Sequence, residues 1–320
     1  MKLRIINYFT SHDMNNLIWR IFRFFLLAGV CFVLLFPLLY MLSTAFRPAA
    51  EINDPSVIWI PKHLTLENFK ISAEAINYKQ SLSNTARVGV VSSILQIISC
   101  LVIGYGFARF KFKEKKLIFS MLLFTIIVPP QTIILSLFLN FRFFDFFGIL
   151  SLQRLFTDDI KTLNLINTPW TFYLPSIFGM GIRSGLFIYI YRQFFRGMPK
   201  ELEYAARIDG CGVFATFIKI MVPNSVPAIL TVFLFSIVWH WNDYYLSAMY
   251  FSSNFPLSVS LSQIRSGLQI AGAGSEYSSP DLLRTYLQAG CLLTILPVLI
   301  LYMVTQRYFT ESIERTGIVG

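Results

Sequence analysis

Residues 239–245 read Trp-His-Trp-Asn-Asp-Tyr-Tyr. The ring faces of Trp239, Trp241 and Tyr245 can stack on a cyclic solute, and Asn242 and Asp243 can exchange hydrogen bonds with its hydroxyls. The segment closes a long apolar run, so the same aromatics also suit anchors at a membrane–water boundary. His240 needs no role beyond filling the space between two tryptophans. A second candidate is Arg183, a lone cation inside an apolar stretch. A charge at that depth is costly unless it meets a counter-charge or a wet cavity. Asp243 is the acid available to pair with it; otherwise the span ends before Arg183 and the side chain is interfacial.

Residues 197–224 have another character: Gly-Met-Pro-Lys-Glu-Leu-Glu-Tyr-Ala-Ala-Arg-Ile-Asp-Gly-Cys-Gly-Val-Phe-Ala-Thr-Phe-Ile-Lys-Ile-Met-Val-Pro-Asn. Pro199 suits a first helical turn. Glu201 and Glu203 follow where the helix dipole favours anions. Gly210 supplies the left-handed residue that ends a helix, and Gly212 frees the turn further. A second short helix, about Val213 to Met221, is predicted to stop near Pro223. The pattern is helix–turn–helix, with Ala205 and Ala206 small enough to let another surface come close. Such a loop either caps its own bundle or docks a partner.

The rest of the chain offers little for catalysis. No G-x-x-x-x-G-K-[ST], H-E-x-x-H, G-x-S-x-G or dinucleotide fingerprint occurs. His12, His63 and His240 are scattered, and Asp145, Asp158 and Asp159 show no metal-ligand spacing. Cys31, Cys100, Cys211 and Cys291 form no C-x-x-C pair and read as small buried apolar residues. The chain is therefore expected to hold no catalytic site, metal or cofactor. If it moves a solute uphill, the energy comes from an ion gradient or from a partner. Ion-coupled carriers bury several ionisable groups; Arg183, Asp243 and Arg87 are few for that.

The elements that position these residues are membrane spans. Of the 320 residues, 55% are hydrophobic and 14% charged, against about 25% charged in soluble domains. A net charge of +10 would suggest nucleic acid in a soluble chain; in a membrane chain it sets orientation. Six windows have the roughly 20 apolar residues of a span: about 18–42, 82–107, 117–139, 169–193, 225–249 and 286–306. The first is too long for a cleaved signal peptide and is read as a retained span. Pro129-Pro130 interrupts the third, Gly179, Gly181 and Gly185 lie in the fourth, and Pro297 lies in the sixth. The predicted fold is all-α and polytopic. Residues 1–17 form an N-terminal segment, 18–42 a first helix, 82–306 a five-helix core and 307–320 a tail. Segments on the side of the termini carry 16 Lys/Arg and 7 Asp/Glu; the opposite loops carry 9 of each. Basic excess marks the cytoplasmic face, so both termini are predicted to be cytoplasmic. The opposite loops, 43–81, 140–168 and 250–284, include a Gly/Ser-rich patch at 271–275; they either connect spans or meet the membrane face or an external partner.

The 197–224 loop resembles the signature loop of ABC importer permeases: E-A-A, three residues, Gly, nine residues, I-x-L-P. Here Tyr204-Ala205-Ala206 is followed at that spacing by Gly210, after Asp209, and then by Ile220-Met221-Val222-Pro223. Tyr204 stands in place of the glutamate, with Glu203 beside it, and Val222 in place of the leucine. Trp241-Asn242-Asp243, Pro129-Pro130-Gln131 and the tail Thr316–Gly320 resemble the carbohydrate-uptake group, the maltose-type second permease. The resemblance covers essentially the whole chain. It implies six helices, the last five shared in a pore with a paired permease. It implies a coupling loop (Glu201, Glu203, Tyr204, Ala205, Ala206, Asp209, Gly210, Gly212, Ile220, Pro223) seated in a cleft of one of two ABC ATPases, which hold the ATP and magnesium. It further implies an extracytoplasmic solute-binding protein delivering a carbohydrate, and a bacterial cytoplasmic membrane. Ala205, Ala206 and Gly210 are then expected against the ATPase. Arg183, Trp239, Trp241, Asn242, Asp243 and Tyr245 are expected along the solute path. The aromatic content and long external loops suit an oligosaccharide. The reading from a different class is an ion-coupled or facilitative carrier without an ATPase.

Overall fold

The computed structural model describes residues 2–52, 54–57, 59–145, 162–270 and 279–317, with side chains described from 16 to 306. Most of the 140–168 loop, the patch at 271–275 and the last three residues of the tail lie outside the described residues. The described residues are helical, the short helices α2 (Glu67–Ala75), α13 (Leu257–Ser262) and α14 (Ile264–Ile270) included, apart from loops and an isolated antiparallel bridge between Phe144 and Leu163.

Three helices contain a stretch long and apolar enough to cross a membrane: Asn16–Ala45 of α1 (Lys2–Ala45), the whole of α3 (Tyr78–Arg109) and Pro280–Gln306 of α15 (Pro280–Gly317). Their sequences differ for a physical reason. From Phe24 to Tyr40 α1 carries no charge, and its large side chains are exposed all round, as on a lipid-facing helix. By contrast, α3 buries Ser92, Ser93, Gln96 and Gly104, the small and polar residues that let helices meet inside a membrane.

The middle windows are not continuous helices. The third divides into α4 (Lys115–Ile127) and α5 (Ile134–Arg142). Pro129 and Pro130 lack the N–H groups that would continue α4, and a 3-10 turn fills the break. The fourth divides into α6 (Trp170–Ile177) and α7 (Ser184–Gly197), between which Gly179 (φ +69°) and Arg183 (φ +58°) are left-handed. The fifth gives α11 (Val226–Asn242) and a separate α12 (Tyr245–Tyr250). The preceding helical stretch, Val213–Asn224, meets α11 at 73°. Among the described residues three helices are thus long and apolar enough to cross a membrane unbroken, or four if that bent pair is a single span. Hydropathy windows report composition, and composition is blind to backbone breaks.

The described chain forms two compact units. One comprises Met1–Ser72 and Leu268–Leu293. In it the Asn68 amide donates to the carbonyls of Ala45 and Arg47, both at 2.8 Å, closing the end of α1, whose last carbonyls have no helical partner. Glu51 accepts the backbone N–H groups of Lys62 and His63 and contacts the His63 ring at 2.7 Å, cinching the loop that follows.

The other unit, Ala73–Gly267 with Thr294–Gly320, is organised on α3, against which α7, α11 and α6 pack. The α3–α7 approach is close because Gly104 has no side chain: a Cβ there would lie 2.5 Å from the Tyr191 Cβ. Gln96, fully buried, ties three elements together. Its Nε2 donates to the Ile182 carbonyl (2.7 Å) and to Ser184 Oγ (2.6 Å), and its Oε1 lies 2.8 Å from Ser236 Oγ on α11. Replacing Gly104 by Ala should lower thermal stability in detergent by about 1–3 kcal/mol through overpacking. Gly29→Ala, where nothing lies within 4 Å, should leave it unchanged or slightly raised. Equal melting temperatures for the two variants would contradict the close approach.

Candidate functional site

The loop after α7 is built from its backbone outward. Glu201–Ile208 forms α8, with Glu201 and Glu203 in its first turn and Pro199 just ahead of it. Gly210 is left-handed at φ +78°. Its N–H donates to the Arg207 carbonyl (3.1 Å) and that of Cys211 to the Ala206 carbonyl (2.8 Å). This paired closure, a Schellman motif, satisfies two carbonyls at the helix end and needs glycine at the left-handed position. After Gly212 the chain turns into α9 (Val213–Thr216), a π stretch (Phe217–Met221) and α10 (Val222–Asn224). The helical path ends at Asn224, one residue past Pro223 and close to the predicted stop.

An ion pair fixes how α8 is rotated. Glu203 Oε1 lies 2.9 Å from Arg109 Nε, with side chains only 10% and 7% exposed; the Nε–H is not aligned for a hydrogen bond, so the contact is one of charge at short range. Tyr105 OH is 3.4 Å from the same oxygen. Arg109, the last residue of α3, also donates from Nη2 to the Met198 carbonyl at 2.8 Å. One guanidinium thus holds both the entry to the loop and the first turn of α8. With Glu203 turned inward, Ala206 on the same helical face follows it and is 1% exposed. The expectation that Ala206 meets a partner is corrected: it faces its own bundle. Tyr204, Ala205 and Asp209 face out, as does Gly210. Ile208 (86% exposed) and Phe214 (75%) stand out from the loop, with Val213 beside Phe214. Ile220 is half-buried and Pro223 exposed.

The 239–245 segment does not gather into one site. Trp241 is buried, its Nε1 donating to the Thr294 carbonyl at 3.0 Å. Asp243 accepts from the Ser247 N–H (2.7 Å), Ser247 Oγ (2.9 Å) and the Leu246 N–H (3.4 Å), so it caps the start of α12. Arg183 is not its partner: the guanidinium lies 5.5 Å from the Trp239 ring and 3.5 Å from the Ile126 carbonyl. Asn242 donates to its own helix at Val238, and Tyr245 is exposed. Arg183 and Trp239 alone of the six come together. His240, given no role from sequence, bonds through Nδ1 to the Ser236 carbonyl at 2.8 Å. Its Nε2 is buried without a hydrogen-bond partner, and the residue lines a cavity of about 390 Å³ with Phe141, Thr171, Phe172, Leu246 and Tyr250. No sequence signal separates His240 from a packed core histidine. Arg109 is, by sequence, one of the 16 basic residues on the side of the termini, and nothing near it in the chain marks its acid, Glu203.

Removing one partner of a buried ion pair strands the other, at a cost of about 3–5 kcal/mol. Glu203→Leu alone and Arg109→Met alone should therefore loosen 198–212 and lower the melting temperature. The double change Arg109→Met with Glu203→Leu should recover much of the loss. A double-mutant cycle in detergent, with limited proteolysis of the loop, checks both; additive losses would show that the pair is not coupled.

The fold and sequence have clear relatives. The chain is similar in structure to a bacterial ABC transporter involved in the import of the acidic polysaccharide alginate, solved by crystallography, with a TM-score of 0.72 at 21% identity over 91% of this chain and 96% of that one. It is 30% identical to the arabinooligosaccharides transport system permease protein AraQ of Halalkalibacterium halodurans, over 92% of this chain and 94% of that protein. It is 26% identical to the probable starch degradation products transport system permease protein AmyC of Thermoanaerobacterium thermosulfurigenes, over 87% and 89%. The family described as binding-protein-dependent transport system inner membrane component matches residues 100–315, so the chain is a membrane protein that belongs to that family.

Proposed function

We propose that this chain is one permease of a two-permease pore in an ATP-driven importer of carbohydrate, and that α8 with the turn to Phe214 is its contact with an ATPase. The observation that carries the reading is the outward display of Tyr204, Ile208, Val213 and Phe214 on a capped, internally bolted loop outside the predicted spans. Apolar side chains exposed in water mark a surface that a partner covers. The basic excess of the same side makes it cytoplasmic, where two ABC ATPases would bind ATP and magnesium. This chain would contribute no hydrolytic chemistry. Closure of the ATPases would push on α8, and Arg109 would pass the displacement to α3.

The carbohydrate assignment is carried by the names of relatives at 26–30% identity. A solute-binding protein on the opposite side would deliver the sugar. Six crossings arise if α4 with α5, α6 with α7, and α11 with α12 each count as one broken span. Along the path, Arg183, Asn242 and Tyr245 are the expected residues still exposed to meet solute or the paired permease. Trp239 is half-buried beside Arg183, and Trp241 and Asp243 shape the path from behind.

Cysteine cross-linking tests the docking. Single cysteines at Tyr204 and at Ala206 would be placed in a chain lacking Cys31, Cys100, Cys211 and Cys291, in the assembled complex. A nucleotide-dependent link to an ATPase is expected from position 204 and not from buried 206. No link from position 204 in an assembled complex would reject the docking.

A further inference from the structure

The α4–α7 groove collects cations for which the loop mechanism has no use. The two helices run antiparallel. Gly185 of α7 lies against Leu122, Thr125 and Ile126 of α4, and Tyr189, one turn on, stacks near Phe119 at 6.4 Å. The next turn brings Arg192, whose guanidinium carbon sits 3.8 Å from the centroid of the Phe119 ring. One turn nearer the groove's end stand Lys115, which opens α4, and Arg196 in the last turn of α7. Arg192 lies over the ring, and its Nε is buried without a hydrogen-bond partner. Lys115 donates to the Phe110 carbonyl at 2.8 Å, which satisfies a proton but not a charge. Glu114 is the adjacent acid, yet no ion pair among the described residues involves it or any of the three cations. Lys115 is close enough to Arg192 and Arg196 to feel the charge of both.

What covers this site follows from its walls. No residue of α4 is buried, and Leu117, Ile118, Met121 and Phe124 are exposed along it. The cations thus cap an apolar, exposed strip at one end of α4. An occupant needs an anionic head for the cations and apolar chains for the strip. We propose that Lys115, Arg192 and Arg196 bind the phosphate of an anionic phospholipid whose acyl chains lie along α4. This rests on the membrane placement proposed above, and not on the ATPase contact or the cargo.

The test is native mass spectrometry of the assembled complex, released from vesicles of equal phosphatidylglycerol and phosphatidylcholine. The wild type should retain phosphatidylglycerol preferentially. Arg192→Gln and Arg196→Gln should each reduce that preference about fivefold, the order expected for one basic residue at an anionic surface. Arg196 is exposed, so its variant keeps the test valid if Arg192→Gln fails to fold. A Lys111→Gln, Lys113→Gln pair, outside the groove, should reduce it less. Unchanged preference in Arg196→Gln overturns the site, and so does an equal loss in the 111/113 pair, which would mean diffuse charge. Complete displacement of the lipid by inorganic phosphate overturns the lipid as ligand in favour of free phosphate. Preference appearing only after the ATPases are stripped away assigns the cations to an acidic protein surface and also overturns it. Retained lipid is read without transport, so a failure of the import reading registers separately as lost uptake.

Discussion

The 2.9 Å contact between Arg109 and Glu203 sets the orientation of α8. A buried ion pair is rarely a net source of stability, since desolvation offsets much of the attraction. Its consequence here is geometric. The guanidinium ends the longest interior helix and holds Met198 and Glu203 together, so α8 can neither roll nor slide without exposing a charge. Ala206 is thereby turned in, and Tyr204 and Ile208 are turned out. The glycine closure at 210 then stops the helix after two turns, short enough to be stiff. In this arrangement a push on the outer face of α8 is delivered to α3 directly.

That α3 can receive such a push depends on its own composition. It is unbroken where its neighbours are broken, and its polar side chains serve their breaks. Where α6 gives way to α7, backbone carbonyls lose helical partners inside apolar surroundings, where an unpaired group is expensive. Gln96 bonds to the Ile182 carbonyl and Ser99 to that of Ser176, both across that break. The glycine contact at 104 keeps α7 close enough to move with α3. Stiff axis, interrupted neighbours and a bolted external helix form one mechanical series.

Much of this was legible in the sequence, and the failures have common causes. The windows at 18–42, 82–107 and 286–306 became helices because length and apolarity suffice for a simple span. Glu201, Glu203 and Gly210 marked α8 because helix ends obey local rules. The breaks in the middle windows were visible as Pro129-Pro130 and the glycines of the fourth, but a hydropathy window averages over them. Rotation was not legible: Ala205 and Ala206 are equivalent by type, and only the distant Arg109 decides which faces inward. From sequence, Asp243 suits a solute contact because a carboxylate accepts hydroxyl protons. Its position ahead of a short helix also fits a cap, and that local role is the one it fills. His240 carried no signal, since its surroundings are assembled from four segments of the chain.

Rigid coupling between α8 and α3 is the central claim, and a distance measurement addresses it most directly. Spin labels at Tyr204 on α8 and at Ile98 on the exposed side of α3 would be followed by double electron–electron resonance in the assembled complex, with and without nucleotide. The expected result is one narrow distance that does not change with nucleotide, and a broadened one in Glu203→Ala. A distance that shifts with nucleotide while the ion pair is intact would mean that α8 moves independently of α3, and the series described here would be wrong.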